Sequence, residues 1–406
     1  MLLISYCFPP VSSPESFVTA KIMGALDGVD VDVLSADASN FFGRSDPSLD
    51  SYVNSRFARI ERVSAGRIGK YLLSMRHLPL RPDRFMILNH RLHSKATEML
   101  SQSAYDVLFT RSQYHSSHLV GLKLKKEFPH LPWVASFSDP WIGNKYEKRV
   151  PVLSSISEYF SKRVVAKADR LVFPTKGIMD VFSRQNSGVD VAGKGFVVPH
   201  GFDSELYRDV DHVGSGPLKL AYFGNFYGKR RVNPVFSALR ELKKRQAISS
   251  EDVVFYIYTS SPRIVEQALL AYPDIKDVVK LEPAISHTRA LNKMQEADVL
   301  LHVDADMEHE SIFLPSKLID YIGAQRPILT ISPKGIAADI TCEVGGVCVD
   351  ISSLDGIVDA LVHFIQMKND LRVRSIKTEE GGDRVIDRYA IARLRSDVKE
   401  IIAGVV

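Results

Sequence analysis

The stretch PSKLIDYIGAQRPILTI, residues 315–331, carries Lys317 and Asp320 three positions apart. On a helix that spacing puts both side chains on one face. Pro315 and Ser316 read as a helix start with Ser316 as its cap, and Ile328 to Ile331 as a buried strand. The N-terminus of such a helix offers free N–H groups and a partial positive charge, so it can hold a phosphate, and Lys317 adds a full charge beside it. Asp320, one turn deeper, can accept hydrogen bonds from the vicinal hydroxyls of a ribose. Taken alone, a Lys–Asp pair at this spacing is a surface contact worth a few tenths of a kcal/mol. Leu318, Ile319 and Ile322 take the buried face, fix the helix against a sheet and turn the pair toward a crevice.

A second stretch, LAYFGNFYGKRRVNP, runs from a strand into Gly224 and Asn225 and then into Lys229, Arg230 and Arg231. Glycine after the first strand of an α/β domain lets backbone approach a ligand, and cations a few residues later can neutralise a leaving diphosphate. The Walker spacing and GxGxxG are both missing, which removes support for an NTPase or a dinucleotide oxidoreductase. In FSDPW, Asp139 stands at a strand end, where it can take a proton from a hydroxyl or orient it. His200, in VVPHGFD, also follows a strand and can touch a substrate. Asp304 and Asp306, near His309 and Glu310, look like a metal-binding DxD pair but bring no further ligand at helical spacing. No metal site is expected.

The elements that must carry these residues come in two series of short apolar runs alternating with amphipathic stretches, the pattern of βαβ units. The first has strands at Leu2 to Cys7, Val29 to Leu34, Asp106 to Thr110, Trp133 to Phe137, Arg170 to Pro174 and Phe196 to Val198. The second has strands at Leu218 to Phe223, Val253 to Tyr258, Val278 to Leu281, Asp298 to Val303, Ile328 to Ile331 and Val347 to Val349. The fold class expected is α/β, two doubly wound Rossmann-like domains facing across a cleft, with ligands at the C-terminal ends of the strands. HVGSGP, from His212 to Pro217, is a link without apolar period. It divides the chain into 1–211, 212–375 and a helical segment 376–406.

A length of 406 residues fits two domains, and 45% hydrophobic with 25% charged residues is ordinary for a soluble globular chain. Cys7, Cys342 and Cys348 suggest neither a disulfide framework nor a zinc knuckle, which favours a reducing cytoplasm. No apolar run approaches the roughly 18 to 20 residues that span a bilayer, and MLLISYC has no basic region before it, so neither secretion nor a membrane span is expected. Between Arg56 and Leu100, ten Lys and Arg face three acids, a local +7 by subtraction. Tyr71, Leu72, Leu73 and Met75 interleave with these charges, a composition suited to an anionic membrane or a phosphorylated lipid and equally to a solvated basic face. One patch in an otherwise balanced chain is a poor footprint for nucleic acid.

Taken in order, FPP, FSDPW, ADRLVFPTKGIMDVF, VVPHGFD, YFGNFYG and PSKLIDYIGAQRPIL resemble the GT-B glycosyltransferases of family four, the retaining nucleotide-sugar transferases, over most of the chain. The resemblance implies that the C-terminal domain binds a nucleotide-diphosphate sugar and the N-terminal domain an acceptor. It also implies that the final helix crosses back to the first domain, and that no essential metal or other cofactor is needed. By position, Asp320 matches the ribose-binding acid; Lys317 and Arg231, with Lys229, match the diphosphate clamp; Gly224 and Asn225 match the close-approach loop, with Ser316 beside them at the helix start. Asp139, Lys229, Arg231 and Glu310 are the expected catalytic residues, and Ser13 and His200 the acceptor-binding ones. The chain departs from the family at Ile312, where many members have Glu, so that Glu308 or Glu310 must substitute. It departs again at VSSPES, which replaces a glycine-rich loop. The function expected is transfer of a sugar to a saccharide or polyprenyl-diphosphate-linked acceptor in envelope or exopolysaccharide assembly. It would take place in the cytoplasm, peripherally on the inner membrane face through Arg56 to Lys95. A nucleotide-sugar epimerase and a non-catalytic nucleotide-sugar-binding partner of an assembly complex are the open alternatives.

Overall fold

The computed structural model describes residues 1–406 apart from 43–44, 76, 143–150, 209–214, 307–309 and 374–381. Among the described residues the chain forms two parallel sheets and divides into two compact units, residues 1–200 with 391–406, and residues 201–390. The expected α/β, doubly wound class is what the strands build.

In the first unit the strands are β1 (Leu2–Ser5), β2 (Asp32–Ala36), β3 (Arg59–Val63), β4 (Leu108–Arg111), β5 (Trp133–Ser136), β6 (Arg170–Phe173) and β7 (Gly195–Val197). Their order is β3-β2-β1-β4-β5-β6-β7. Every residue of β1, β4 and β5 is buried, as expected of central strands covered by helices on both faces. The strand β3 is not among those expected from the sequence. Its residues RIERV are all half-buried, and Arg59 and Glu61 pair with each other along the sheet edge, so the strand has no apolar run to announce it.

The second unit holds β8 (Leu218–Phe223), β9 (Val253–Thr259), β10 (Val279–Pro283), β11 (Val299–Val303), β12 (Ile328–Ile331) and β13 (Val347–Val349), ordered β10-β9-β8-β11-β12-β13. The strand order reverses between β1 and β4 in one unit and between β8 and β11 in the other. Loops leaving adjacent strands to opposite sides open a crevice at such a point.

The junction expected at 211/212 stands beyond the change of unit at 200/201, and residues 212–214 of the HVGSGP link lie outside the described residues. Residues 201–208 belong to the second unit because Phe202 N–H donates to the Tyr389 carbonyl (3.0 Å) and the Tyr207 hydroxyl to the Asp320 carbonyl (2.9 Å). The helix Ile391–Ala403 belongs to the first. Arg395 donates through Nε and Nη2 to the Lys21 carbonyl (3.2 and 3.0 Å), at the end of the helix Pro14–Met23, and also reaches the Tyr52 hydroxyl (3.1 Å).

The basic segment Arg56 to Lys95 is not one surface element. It includes β3, the helix Gly66–Ser74 and part of the helix Asn89–Gln102, while Arg76 lies outside the described residues. Cys342 and Cys348, both free, bring their sulfurs within 2.7 Å. Among the described residues no helix is long and apolar enough to cross a membrane.

Candidate functional site

In the second unit, Lys317 and Gly224 meet at the switch point. The helix Ser316–Gly323 follows β11 and buries Leu318, Ile319 and Ile322 completely, as their spacing predicts. Pro315, not Ser316, takes the cap position, and no side-chain cap bond forms there. Ser316 is instead the first helical residue, because the extended backbone at Pro315 already starts the helix. Lys317 Nζ donates to the Tyr222 hydroxyl (2.9 Å) and lies 4.1 Å from the centre of that ring. Burial, with the Arg230 guanidinium near, holds its pKa well below the usual lysine range, and Asp304 opposes the shift. Gly224 has φ +132°, a conformation that side chains rarely adopt, and a Cβ there would stand 3.5 Å from Lys317 Nζ.

The KRR triplet divides its work. Arg230, which sequence reading passed over in favour of its neighbours, donates through Nη2 to Asp304 Oδ1 (3.1 Å), and the Ala305 N–H donates to the same oxygen (2.8 Å). Lys229 and Arg231 are exposed and line a pocket of about 730 Å³ with Asn233, Asp306 and Ser352. Asn225 is a brace: its Oδ1 accepts from Thr259 Oγ1, Ser260 N–H and Ser260 Oγ (2.8, 3.0 and 2.9 Å), tying the loop after β8 to the loop after β9. Asp320 is buried, and its own carbonyl is held by Tyr207, which packs where a Cβ on Gly323 would stand 2.5 Å from the hydroxyl. Glu310 is exposed, and Glu308 and His309 lie outside the described residues. His302, on β11, is fully buried, and neither ring nitrogen finds a hydrogen bond among the described residues. Among those residues no three His, Cys, Asp or Glu side chains gather as a metal site would require.

In the first unit, Ser13 caps the helix Pro14–Met23, its Oγ accepting from the Ser16 N–H (3.2 Å). Sequence reading missed the residue two places on. Glu15 lies 3.5 Å from Arg111 Nη2 and 3.8 Å from His200 Nε2, and Arg111, at the end of β4, also donates to Thr19 Oγ1 and Ser136 Oγ (3.0 Å each). Burial raises Glu15 to about 7, with Asp139 adding to the rise and Arg111 opposing it. Burial raises Asp139 to about 6 and lowers His115 and His200 to about 3. The signal for Glu15 was weak, because an acid in a first helical turn is an ordinary start residue.

These shifts have opposite signs in stability. His115 and His200 have depressed folded pKa values, so stability is lost as pH falls below about 6.5, where the unfolded chain takes up their protons. Glu15 is raised, so its contribution is present below about 4.5 and lost as pH rises through 7, by about 3 kcal/mol at about 1.4 kcal/mol per pKa unit. In thermal unfolding, wild type is expected to lose ground to Glu15→Gln between pH 5 and 8. Parallel curves would remove Glu15 as the cause.

No family model matches the chain, and no curated protein matches it. Among solved structures it is similar to HepE of Anabaena in complex with UDP-glucose, at 12% identity, TM-score 0.67 and 99% coverage of both chains. A glycosyltransferase from Rickettsia africae matches at 12% identity and TM-score 0.67, covering 100% of this chain and 98% of that one. Sucrose-phosphate synthase from Thermosynechococcus elongatus matches at 15% and 0.71, covering 99% and 98%. The fold is therefore GT-B over the full length.

Proposed function

We propose that the chain is a retaining glycosyltransferase that moves a sugar from a nucleotide-diphosphate sugar to a saccharide or lipid-linked acceptor in envelope or exopolysaccharide assembly. The second unit takes the donor and the first the acceptor. The observation that carries the reading is Lys317, half-buried at a helix N-terminus after β11, beside Gly224, whose missing Cβ would otherwise stand 3.5 Å from its amine. A cation placed there can receive a diphosphate, with the helix N–H groups beside it and Asp320 one turn deeper for the ribose. Lys229, Arg231 and Arg230 supply further positive charge as the leaving group departs. Side-chain cations take the role a metal ion would otherwise fill, and no cofactor is required.

HepE is described with UDP and with UDP-glucose, so these head the panel. Thermal-shift measurements against UDP, GDP, ADP, TDP and CMP, with and without chelator, are expected to show stabilisation by one nucleoside diphosphate that survives chelation and is lost in Asp320→Ala. No stabilisation by any nucleotide would sink the reading. Binding without turnover in the presence of lipid extract would favour the non-catalytic partner.

The helix Gly66–Ser74 bears on a cytoplasmic, peripheral membrane location. Ile68 and Tyr71 are 79% and 66% exposed, three residues apart on one face, and Arg67 and Lys70 flank them. An amphipathic helix of that kind suits the surface of an anionic bilayer. The chain is expected to co-sediment with phosphatidylglycerol vesicles, and Ile68→Glu with Tyr71→Glu to weaken that at least tenfold. Equal sedimentation with uncharged phosphatidylcholine would count against the electrostatic part.

A further inference from the structure

The first unit holds a polar cluster at its own switch point, between β1 and β4. Glu15 comes from the helix after β1, Arg111 from the end of β4, Asp139 from the loop after β5 and His200 from the loop after β7. His200 has a side chain only 7% exposed, and neither ring nitrogen finds a hydrogen-bond partner among the described residues. Two buried polar nitrogens left in that state cost free energy that a ligand can recover.

We propose that Glu15 and His200, with Arg111 behind Glu15, form a subsite for an uncharged sugar hydroxyl of the acceptor and not for a phosphate. The proposal deepens the acceptor role given above to the first unit and rests on it.

The geometry fits an oxygen. Glu15 Oε1 and His200 Nε2 are 3.8 Å apart, so a hydroxyl oxygen to one side can lie about 2.8 Å from both. A hydroxyl both donates and accepts. It can give its proton to the Glu15 carboxylate and receive a hydrogen bond from the imidazole, which burial, with Arg111 and Lys21 near, keeps uncharged. A phosphate finds no such welcome. The guanidinium of Arg111 is already engaged by Glu15, Thr19 and Ser136, and Asp139 adds a second carboxyl to the surroundings of Glu15. Among the described residues a dianion would meet two carboxyls, a guanidinium already committed and Lys21, which has partners of its own.

The test uses the full chain and saturation-transfer NMR with methyl α-glucoside, methyl α-galactoside and methyl α-mannoside, each beside its hexose 6-phosphate. At least one methyl glycoside is expected to bind wild type more tightly than its phosphate. Glu15→Ala and His200→Phe should each weaken that binding at least tenfold, and His200→Phe keeps a ring of similar size in place should Glu15→Ala fail to fold. The proposal is overturned if no glycoside binds, if the phosphates bind more tightly, or if affinity persists in His200→Phe. Nucleotide stabilisation measured on the same samples separates the two readings: its absence in wild type defeats the donor assignment, and its persistence in the variants leaves that assignment standing whatever the glycosides do.

Discussion

Lys317→Met is expected to make the unliganded protein more stable while removing its response to nucleoside diphosphates. The amine is held below its usual pKa by burial and by Arg230, and its hydrogen bond goes to a neutral tyrosine hydroxyl. A lysine whose folded pKa is depressed costs stability as pH falls below about 10.5, because the unfolded chain takes up the proton more readily. Methionine keeps the unbranched shape and removes an amine whose protonation burial penalises, which should stabilise by about 1 to 3 kcal/mol. Tyr222 still donates to the Asn225 carbonyl at 3.2 Å, so the loop keeps that brace. A charge-assisted hydrogen bond to a phosphate contributes about 1.5 to 3 kcal/mol, so affinity should fall by roughly 10- to 150-fold. Transfer, if the cation meets charge that grows as the sugar leaves, should fall by about 10² to 10³. Nucleotide binding to wild type should also take up a proton, visible as a calorimetric heat that changes with the ionisation enthalpy of the buffer. A Lys317→Met protein that binds nucleotide as wild type does, with the same proton count, would remove Lys317 from the site.

Trp133→Ala should cost about 3 to 5 kcal/mol, a large share of the 5 to 15 kcal/mol typical of a domain. Trp133 is fully buried in β5, and its Nε1 donates to Thr110 Oγ1 (2.8 Å), which also meets His118 Nδ1 at 2.8 Å. Space for the ring depends on Gly121, where a Cβ would come within 2.7 Å of it. Gly121→Ala therefore approaches the same contact from the opposite side and should cost about 1 to 3 kcal/mol by overpacking. Urea unfolding followed by tryptophan fluorescence reads both, with Trp141 as the remaining reporter in Trp133→Ala. If Trp133→Ala shifts the midpoint by less than Gly121→Ala, the ring is not the element that fills this part of the core.

The doubly wound sheets were legible because most of their strands are apolar on both faces and carry period and bounding turns together. The exceptions have physical reasons. RIERV forms β3 at an edge, where charged side chains are tolerated, so neither composition nor alternation marks it. The placement of Lys317 could be read because its helix follows a strand directly and its apolar neighbours fix which side of that helix is buried. Its surroundings could not. That Tyr222 lies under the ammonium and that Arg230, alone of its triplet, turns to Asp304 depend on contacts between separate strands and loops, which spacing along the chain does not encode. The brace that Asn225 forms between two loops through its Oδ1 was likewise not legible along the chain.

The arrangement of the first unit, in which Arg395 closes the end of the helix Pro14–Met23, has a consequence for how the chain is made and cut. Residues 201–390 are an uninterrupted stretch, whereas the unit around them is assembled from both sides of that stretch. On the ribosome, where domains generally mature in order of synthesis, the earlier unit here must wait for the later one. Its surface near Lys21 and Tyr52 stays uncovered until residues 391–406 emerge. An excised 201–390 fragment should accordingly be obtainable by itself, while a fragment ending at residue 200 should need residues 391–406 supplied in trans or spliced on through a short linker.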